Sequence, residues 1–452
     1  MQHKFHVDRA RFPLDHLAMT TIAGMDVEKL TRNLDAFLRS EVEEKGSYKM
    51  LHVMVGRKGK LLYNNFCGDG VQEDTIYKIY SMTKCIVSAA LCQLYERGMF
   101  SLNDPLSKFL PSFKSMKVIV KDPTNTINSY KTESAKNEIT CRDILCHTAG
   151  FSYAFGFPDE KDLSTNILDH LYKDNDVLRG QGALDLFGRS CTLENFTDEL
   201  AKLPLLFHPG TRWHYSFATQ VVGRLIEVLS GMQLGDYLYT HIFKPLKMVD
   251  TGFVVPIEKQ HRLAKNYAMI SPGKLVDVSK QSNGANDPKS VYSIFQSGGE
   301  GLTSTCRDYY RFATCLSQGG ILDGARILSP RTVQWMTSNH LPNQSSTVDF
   351  AYETTRYKSI ASSEVALTKS GFGLGFAISL KGGLGGDMGV SPGSFAWAGA
   401  GKTIFWVDPV EEIVAVSMTQ ALGAPHCRSN LGNIIYGAIS ATNITSIHRA
   451  KY

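Results

Sequence analysis

Residues 48–55 and 60–66 are rich in β-branched and aromatic side chains and flank Gly56-Arg57-Lys58-Gly59, which reads as a hairpin around a glycine-containing turn. The other β-type runs, residues 373–380, 394–397, 403–407 and 412–419, stand near the opposite end of the chain. A strand left at an edge exposes unpaired backbone donors and acceptors, and an isolated hairpin is marginal in water. The two sets are therefore expected to share one sheet, which ties the ends of the chain together and leaves the middle as an insertion. That middle, residues 90–290, holds mostly helical signals and long polar loops. The expected organisation is an α/β lobe made from residues 1–90 and 291–452, with a mainly helical lobe from residues 91–290.

Local signals place the helices. Val27, Leu30, Leu34, Phe37 and Leu38 repeat at helical spacing with charges on the opposite face. A strongly apolar helix is expected from Ser81 to about Arg97, stopped by Gly98. Asp104-Pro105 reads as a cap followed by a first-turn proline, and Thr140-Cys141-Arg142-Asp143 reads as a capping box for a helix ending near His147. Further helices are expected over residues 218–229, 305–316, 329–339 and 426–438.

Charge and composition exclude several classes. Lysine plus arginine (48) nearly balances aspartate plus glutamate (43), so no nucleic-acid footprint is expected. The longest apolar runs, at residues 85–92 and 413–418, fall short of the ~18–20 residues of a membrane span. Met1 to Met25 has no continuous apolar core of the secretory kind, so a cytoplasmic location is expected, with a mitochondrial leader as the alternative. Nine cysteines without CxxC pairs, several inside apolar stretches, read as buried free thiols, and the three sequons at Asn195, Asn343 and Asn443 read as chance matches.

Three stretches carry chemistry. Ser81-Met82-Thr83-Lys84 opens the apolar helix, where positions i and i+3 share a face and the lysine amine reaches the serine oxygen. A serine hydroxyl needs an adjacent base to become a nucleophile, and the helix N-terminus favours negative charge on it. A second Ser-x-x-Lys, Ser271 to Lys274, contains Pro272-Gly273 and is read as a loop. Tyr215 follows a Pro209-Gly210 turn and precedes an apolar helix. Residues 395–400, Phe-Ala-Trp-Ala-Gly-Ala, put small residues beside Trp397 on a strand, where backbone can approach a ligand and the Ala400 amide can serve an oxyanion. Residues 396–403 also match a relaxed phosphate loop, but the run after Lys402 is β-type rather than helical, which argues against an ATPase.

The order of these motifs, with Ser-x-x-Lys early, tyrosine in mid-chain and the glycine-bearing strand late, resembles serine β-lactamases and penicillin-binding proteins. Residues 144–150 (Ile-Leu-Cys-His-Thr-Ala-Gly), 298–304 (Gly-Gly-Glu-Gly-Leu-Thr-Ser), Gly373-Leu374-Gly375 and 405–409 (Phe-Trp-Val-Asp-Pro) are similar to the class C branch, nearest its esterase and acyltransferase members. The resemblance runs from about residue 30 to residue 440. It implies a β-lactamase/transpeptidase-like fold, with an antiparallel sheet flanked by helices, an inserted all-helical lobe, and Ser81 at the seam. It implies that Ser81 attacks an acyl carbonyl, that Lys84 takes its proton, and that Tyr215 shuttles protons. The Ser81 and Ala400 amides would form the oxyanion hole, and no metal or organic cofactor would be needed.

Two positions depart from the class C pattern. Phe217 stands where that branch has the asparagine of Tyr-x-Asn, and Trp397 stands where lysine or histidine usually opens the strand motif. Both changes remove groups that hold the amide and carboxylate of β-lactams or peptides. The expected substrate is accordingly a small-molecule acyl ester, with Trp397, Gly399 and Phe217 lining its site. The alternatives are a β-lactamase or D-Ala-D-Ala peptidase, and a catalytically inactive protein of the same fold used for binding or assembly. A Ser-His-Asp reading through His147 lacks the Gly-x-Ser-x-Gly elbow it requires.

Overall fold

The computed structural model describes residues 21–153, 163–178, 191–280, 295–347, 370–380 and 389–440. The Asn443 sequon and the chain before Thr21 lie outside the described residues. In chain order, α1 (Val27–Arg39) is followed by the hairpin β1 (Met50–Arg57) and β2 (Lys60–Gly68), then β3 (Ile76–Lys78) and α2 (Thr83–Glu96). Next come α3 (Cys141–Cys146), α4 (Leu163–Asp174), α5 (Leu193–Ala201) and α6 (Ala218–Ser230). The chain returns through β4 (Thr303–Thr305), α7 (Cys306–Ser317), β5 (Ser370–Phe372), β6 (Ala377–Ser379), β7 (Phe395–Ala398), β8 (Ile404–Asp408), β9 (Ile413–Met418) and α8 (Arg428–Gly437).

Seven strands make one sheet in the order β5-β6-β7-β8-β9-β1-β2, every pair antiparallel. The N-terminal hairpin joins the C-terminal strands through β1 and β9, so both ends of the chain build one layer. Its turn is sharp because Lys58 and Gly59 both take left-handed φ, +50° and +72°. Side chains alternate across the sheet. Leu51, Val53 and Val55 of β1, with Ala396, Trp406 and Ala415, face α1 and α8 through Leu30, Leu34, Leu38, Leu431 and Ile435. Met50, Met54, Phe405, Val414 and Val416 point the other way, into the larger core shared with α2 and α7. On that side α2 packs on α6, and α3 and α5 pack on α6 in turn.

Caps explain the boundaries. Asp26 accepts from the Lys29 amide at 2.9 Å to open α1, and Thr140 and Asp143 form the expected capping box of α3. Gly98, φ +70°, ends α2 as expected. Two expectations change. Asp104 opens no α-helix; its carboxylate accepts from the Ser101 amide at 3.0 Å, and two 3₁₀ turns, Leu106–Lys108 and Pro111–Phe113, follow. The run expected as one strand at residues 373–380 is broken, because Gly373 to Phe376 turns between β5 and β6. Gly375 takes φ +92° there, and a Cβ on it would collide with Ser88 of α2, so the turn is pressed onto the helix that follows the serine. The second Ser-x-x-Lys is a hairpin turn with Gly273 at φ +74°. Residues 395–408 are two antiparallel strands joined by a turn, with no helix to bind phosphate.

Candidate active site

Ser81 lies in a 3₁₀ turn, Tyr80–Met82, immediately before α2. The residue before it, Tyr80, has φ +45°, a left-handed conformation costing an aromatic residue on the order of 1–2 kcal/mol. Several contacts hold that strain in place. The Ile79 amide donates to Leu302 O (3.1 Å), Tyr309 Oη donates to Met82 O (3.0 Å), Asn266 Nδ2 donates to Tyr80 Oη (2.6 Å), and Thr403 Oγ1 donates to Ile79 O (3.3 Å). The turn joining β7 to β8 closes over the same segment. A Cβ at Gly399 would strike Ile79 O and Thr403 Oγ1, and one at Gly401 would strike the Tyr80 ring. The glycine at 399 is thus required by the close approach of the turn that carries Ser81, and Ala400 follows it at the edge of the same turn.

Lys84 is one helical turn from Ser81, and only 2% of its surface is exposed. Its Nζ lies 3.3 Å from Ser81 Oγ, donates to Gly299 O at 2.7 Å, and stands 4.0 Å from Glu300 Oε2. The same Nζ sits 4.8 Å from the centre of the Tyr215 ring and 5.3 Å from that of Tyr153. Tyr215 is placed by the turn before α6, where the Gly210 amide donates to Thr148 O (2.9 Å) and the His214 amide to His147 O (2.9 Å). The structure therefore brings Ser81, Lys84 and Tyr215 together, where the helical elements meet the sheet.

An aromatic layer surrounds them. Tyr215 packs on His147 (4.9 Å between ring centres), Tyr153 (5.2 Å) and Trp397 (5.4 Å), and Trp397 packs on Phe372 of β5 (5.5 Å). Phe217 is buried against Tyr153 (4.4 Å), Phe196 and Tyr172. Trp397 and Phe217 are thus fully packed side chains, and the first touches the tyrosine directly. His147, in a left-handed conformation at the end of α3, places Nδ1 3.2 Å from Ser216 Oγ. Burial pushes its imidazole well below the ordinary histidine range, and the neighbouring Lys84 and His214 push it further, so it is neutral near pH 7.

Three residues at or next to Lys84 carried no role in the sequence reading: Tyr153 and Glu300, which face it, and Gln220, which binds Glu300. Tyr153 Oη donates to Glu300 Oε2 (3.3 Å) and Gln220 Nε2 donates to Glu300 Oε1 (2.8 Å). A signal for Glu300 is present in hindsight. A Cβ at Gly298 would strike Thr219 O, one at Gly299 the Gln220 amide, and one at Gly301 the Phe253 ring. In a loop pressed so tightly against α6, the residue keeping a long side chain is a carboxylate. Among the described residues no helix is long and apolar enough to cross a membrane, and the nine cysteines are free thiols.

Residues 34–433 match the beta-lactamase family model. Among curated proteins the chain is 28% identical to Protein Rv1367c of Mycobacterium tuberculosis, over 87% of this chain and 90% of that one. It is 26% identical to Esterase EstB of Burkholderia gladioli, over 64% and 71%. Among solved structures, Simvastatin Synthase (LovD) of Aspergillus terreus superposes with a TM-score of 0.71 at 22% identity, covering 90% of this chain and 97% of that one. The chain belongs to the beta-lactamase family and has its β-lactamase/transpeptidase fold, in a serine-hydrolase group with esterase and acyltransferase relatives.

Proposed function

We propose that this member of the beta-lactamase family is a serine hydrolase that works through an acyl-enzyme on carboxylic esters, passing the acyl group to water or to an acceptor alcohol. The observation that carries the reading is the buried Ser81–Lys84 contact, 3.3 Å long, beneath the Tyr215 ring. Ser81 Oγ attacks the ester carbonyl carbon while its proton passes to the Lys84–Tyr215 pair. The carbon–oxygen bond to the leaving alcohol then breaks, and that pair returns the proton to the alcohol. Water or an acceptor alcohol attacks the acyl-Ser81 carbonyl, and the same groups run the steps in reverse. The amides of Ser81 and Ala400 are assigned to the oxyanion. The machinery needs no metal or organic cofactor.

Substrate class follows from what surrounds the tyrosine. Phe217 has no donor for a substrate amide, and the Trp397 indole cannot pair with a carboxylate as lysine would. A desolvated polar group without a partner costs about 1–3 kcal/mol, which disfavours β-lactams and D-alanyl peptides. EstB, named an esterase, supports the same choice.

The test has two arms. A fluorophosphonate probe should add its mass to Ser81 and fail to label Ser81→Ala. Folded wild-type protein that takes no label would leave a binding or assembly role for the fold. A p-nitrophenyl ester series should then give higher kcat/KM than nitrocefin or a D-Ala-D-Ala peptide. A tenfold preference for either of those would reverse the assignment to esters.

A further inference from the structure

Glu300 is a buried carboxylate, its side chain 1% exposed, placed by the sequence 4.0 Å from the lysine that a serine hydrolase needs as a base. A lone ionised carboxylate in such surroundings is costly. Each oxygen of this one meets a donor, Gln220 Nε2 on Oε1 and Tyr153 Oη on Oε2, and Lys84 is the cation in ion-pair range. Seen from the lysine, Gly299 O, Ser81 Oγ and Glu300 all accept, and two ring faces lie against Nζ. Every one of these neighbours favours an ammonium, whereas taking the Ser81 proton needs a free amine. Gly299 and Glu300 are consecutive, so one glycine-packed loop fixes both the direction and the charge of the lysine.

We propose that Glu300 is the positioning residue of this site, a carboxylate that holds Lys84 as an ammonium in the resting enzyme and sets the pH above which it becomes the base for Ser81. The inference rests on the hydrolase reading given above. The titratable groups facing the pair are known from each neighbouring element. Tyr153 comes from the segment after α3, and neutral His147 from the end of α3. Tyr215 and His214 come from the segment before α6, and α6 itself presents the uncharged Gln220. The buried Asp169 of α4 is one step further out, accepting from Ser152 Oγ at 3.1 Å. Among the described residues the carboxylate in ion-pair range of Lys84 is thus Glu300, and an opposite charge at 4–6 Å displaces a titration by about 1–3 pH units.

The test compares wild type, Glu300→Gln and Glu300→Asp, each checked for folding by circular dichroism. The first readout is the ¹⁵Nζ titration of Lys84 by NMR, assigned with Lys84→Arg. Glu300→Gln should lower its midpoint by about one pH unit or more, because the cation loses its counter-charge. Glu300→Asp keeps the charge but retracts it, so its midpoint should fall by less, and this variant carries the test if the glutamine variant does not fold. The second readout is the rate of Ser81 phosphonylation against pH, whose acid limb should move down by the same amount. Equal Lys84 midpoints in all three proteins would overturn the proposal and leave Glu300 a packing residue, even if the rate fell. If wild-type Ser81 took no label, the hydrolase reading would fail, while the NMR midpoints would still decide the coupling between Glu300 and Lys84.

Discussion

The two faces of the central sheet are both buried but differ in how much polar chemistry they enclose. Against α1 and α8 the filling is mainly apolar: Leu30, Leu34, Leu38, Val53, Val55, Leu431 and Ile435 meet there, and the buried Asp408 beside them accepts from Tyr436 Oη at 2.9 Å. On the other side, where α2 and α6 come together, Lys84, Glu300, His147 and Tyr215 are buried as well. Buried apolar surface stabilises at roughly 25 cal/mol per Å², whereas buried polar groups at best recover the cost of leaving water. The first face therefore contributes more to stability, and the second carries the polar groups of the candidate site at some cost to it. The strained Tyr80 backbone beside Ser81 belongs to the same division.

The sharpest break of this comparison is Lys84→Arg. The substitution keeps a cation beside Glu300 but removes a group able to lose its proton near neutrality. Acylation of a p-nitrophenyl ester should fall by about 10²–10⁴, the range for loss of a general base. The melting temperature should change little. Retention of most activity would reduce the lysine to an electrostatic element and move the base to Tyr215.

Leu34→Ala is the converse. Leu34 is fully buried between α1 and the sheet, and truncating such a leucine costs about 2–5 kcal/mol. Urea unfolding should show that loss, while kcat/KM stays near wild type below the transition. A large drop in kcat/KM in the folded protein would mean that the two faces are coupled through the sheet.

The same division decides what could be read from sequence. The turn at Lys58-Gly59, the stop at Gly98, the capping box at Thr140 and the hairpin decoy at Ser271 are local, and each was legible because neighbouring residues determine it. The joining of the hairpin to the C-terminal strands was legible because unpaired edges demand partners. Ser81 and Lys84 share one helix turn, so their contact follows from spacing. Glu300 and Tyr153 were not found, because what makes them part of the site is contact between residues 215 positions apart for Lys84 and Gly299, and 147 apart for Tyr153 and Glu300. The left-handed Tyr80 is likewise imposed from outside, by Leu302, Tyr309 and Thr403, and the residue type gives no hint of it. The break at Gly373–Phe376 is set by α2, through the contact of Gly375 with Ser88.

His52 supplies the smallest test, because it is a buried polar residue with no place in the chemistry. It sits on β1 with no exposed surface, its Nε2 2.8 Å from Asn64 Oδ1 and its ring 5.3 Å from Phe66. Burial lowers its imidazole from 6.5 to about 4, with Arg307 adding to that and Asn64 and Glu73 opposing it. The folded protein therefore binds its proton only near pH 4, while the unfolded chain binds one below pH 6.5. Between those values the unfolded state holds the extra proton, so stability must fall as pH falls, by about 1.4 kcal/mol per pH unit from this residue. Above pH 6.5 both states are neutral and His52 contributes no slope. His52→Phe keeps an aromatic ring next to Phe66 and removes the titration. Its unfolding free energy should lose one proton's worth of slope between pH 6.5 and 4, while the pH dependence of Ser81 labelling stays as in wild type. An unchanged stability slope would show that the imidazole is protonated in the folded state, and a shifted labelling profile would show that charge on β1 reaches Ser81.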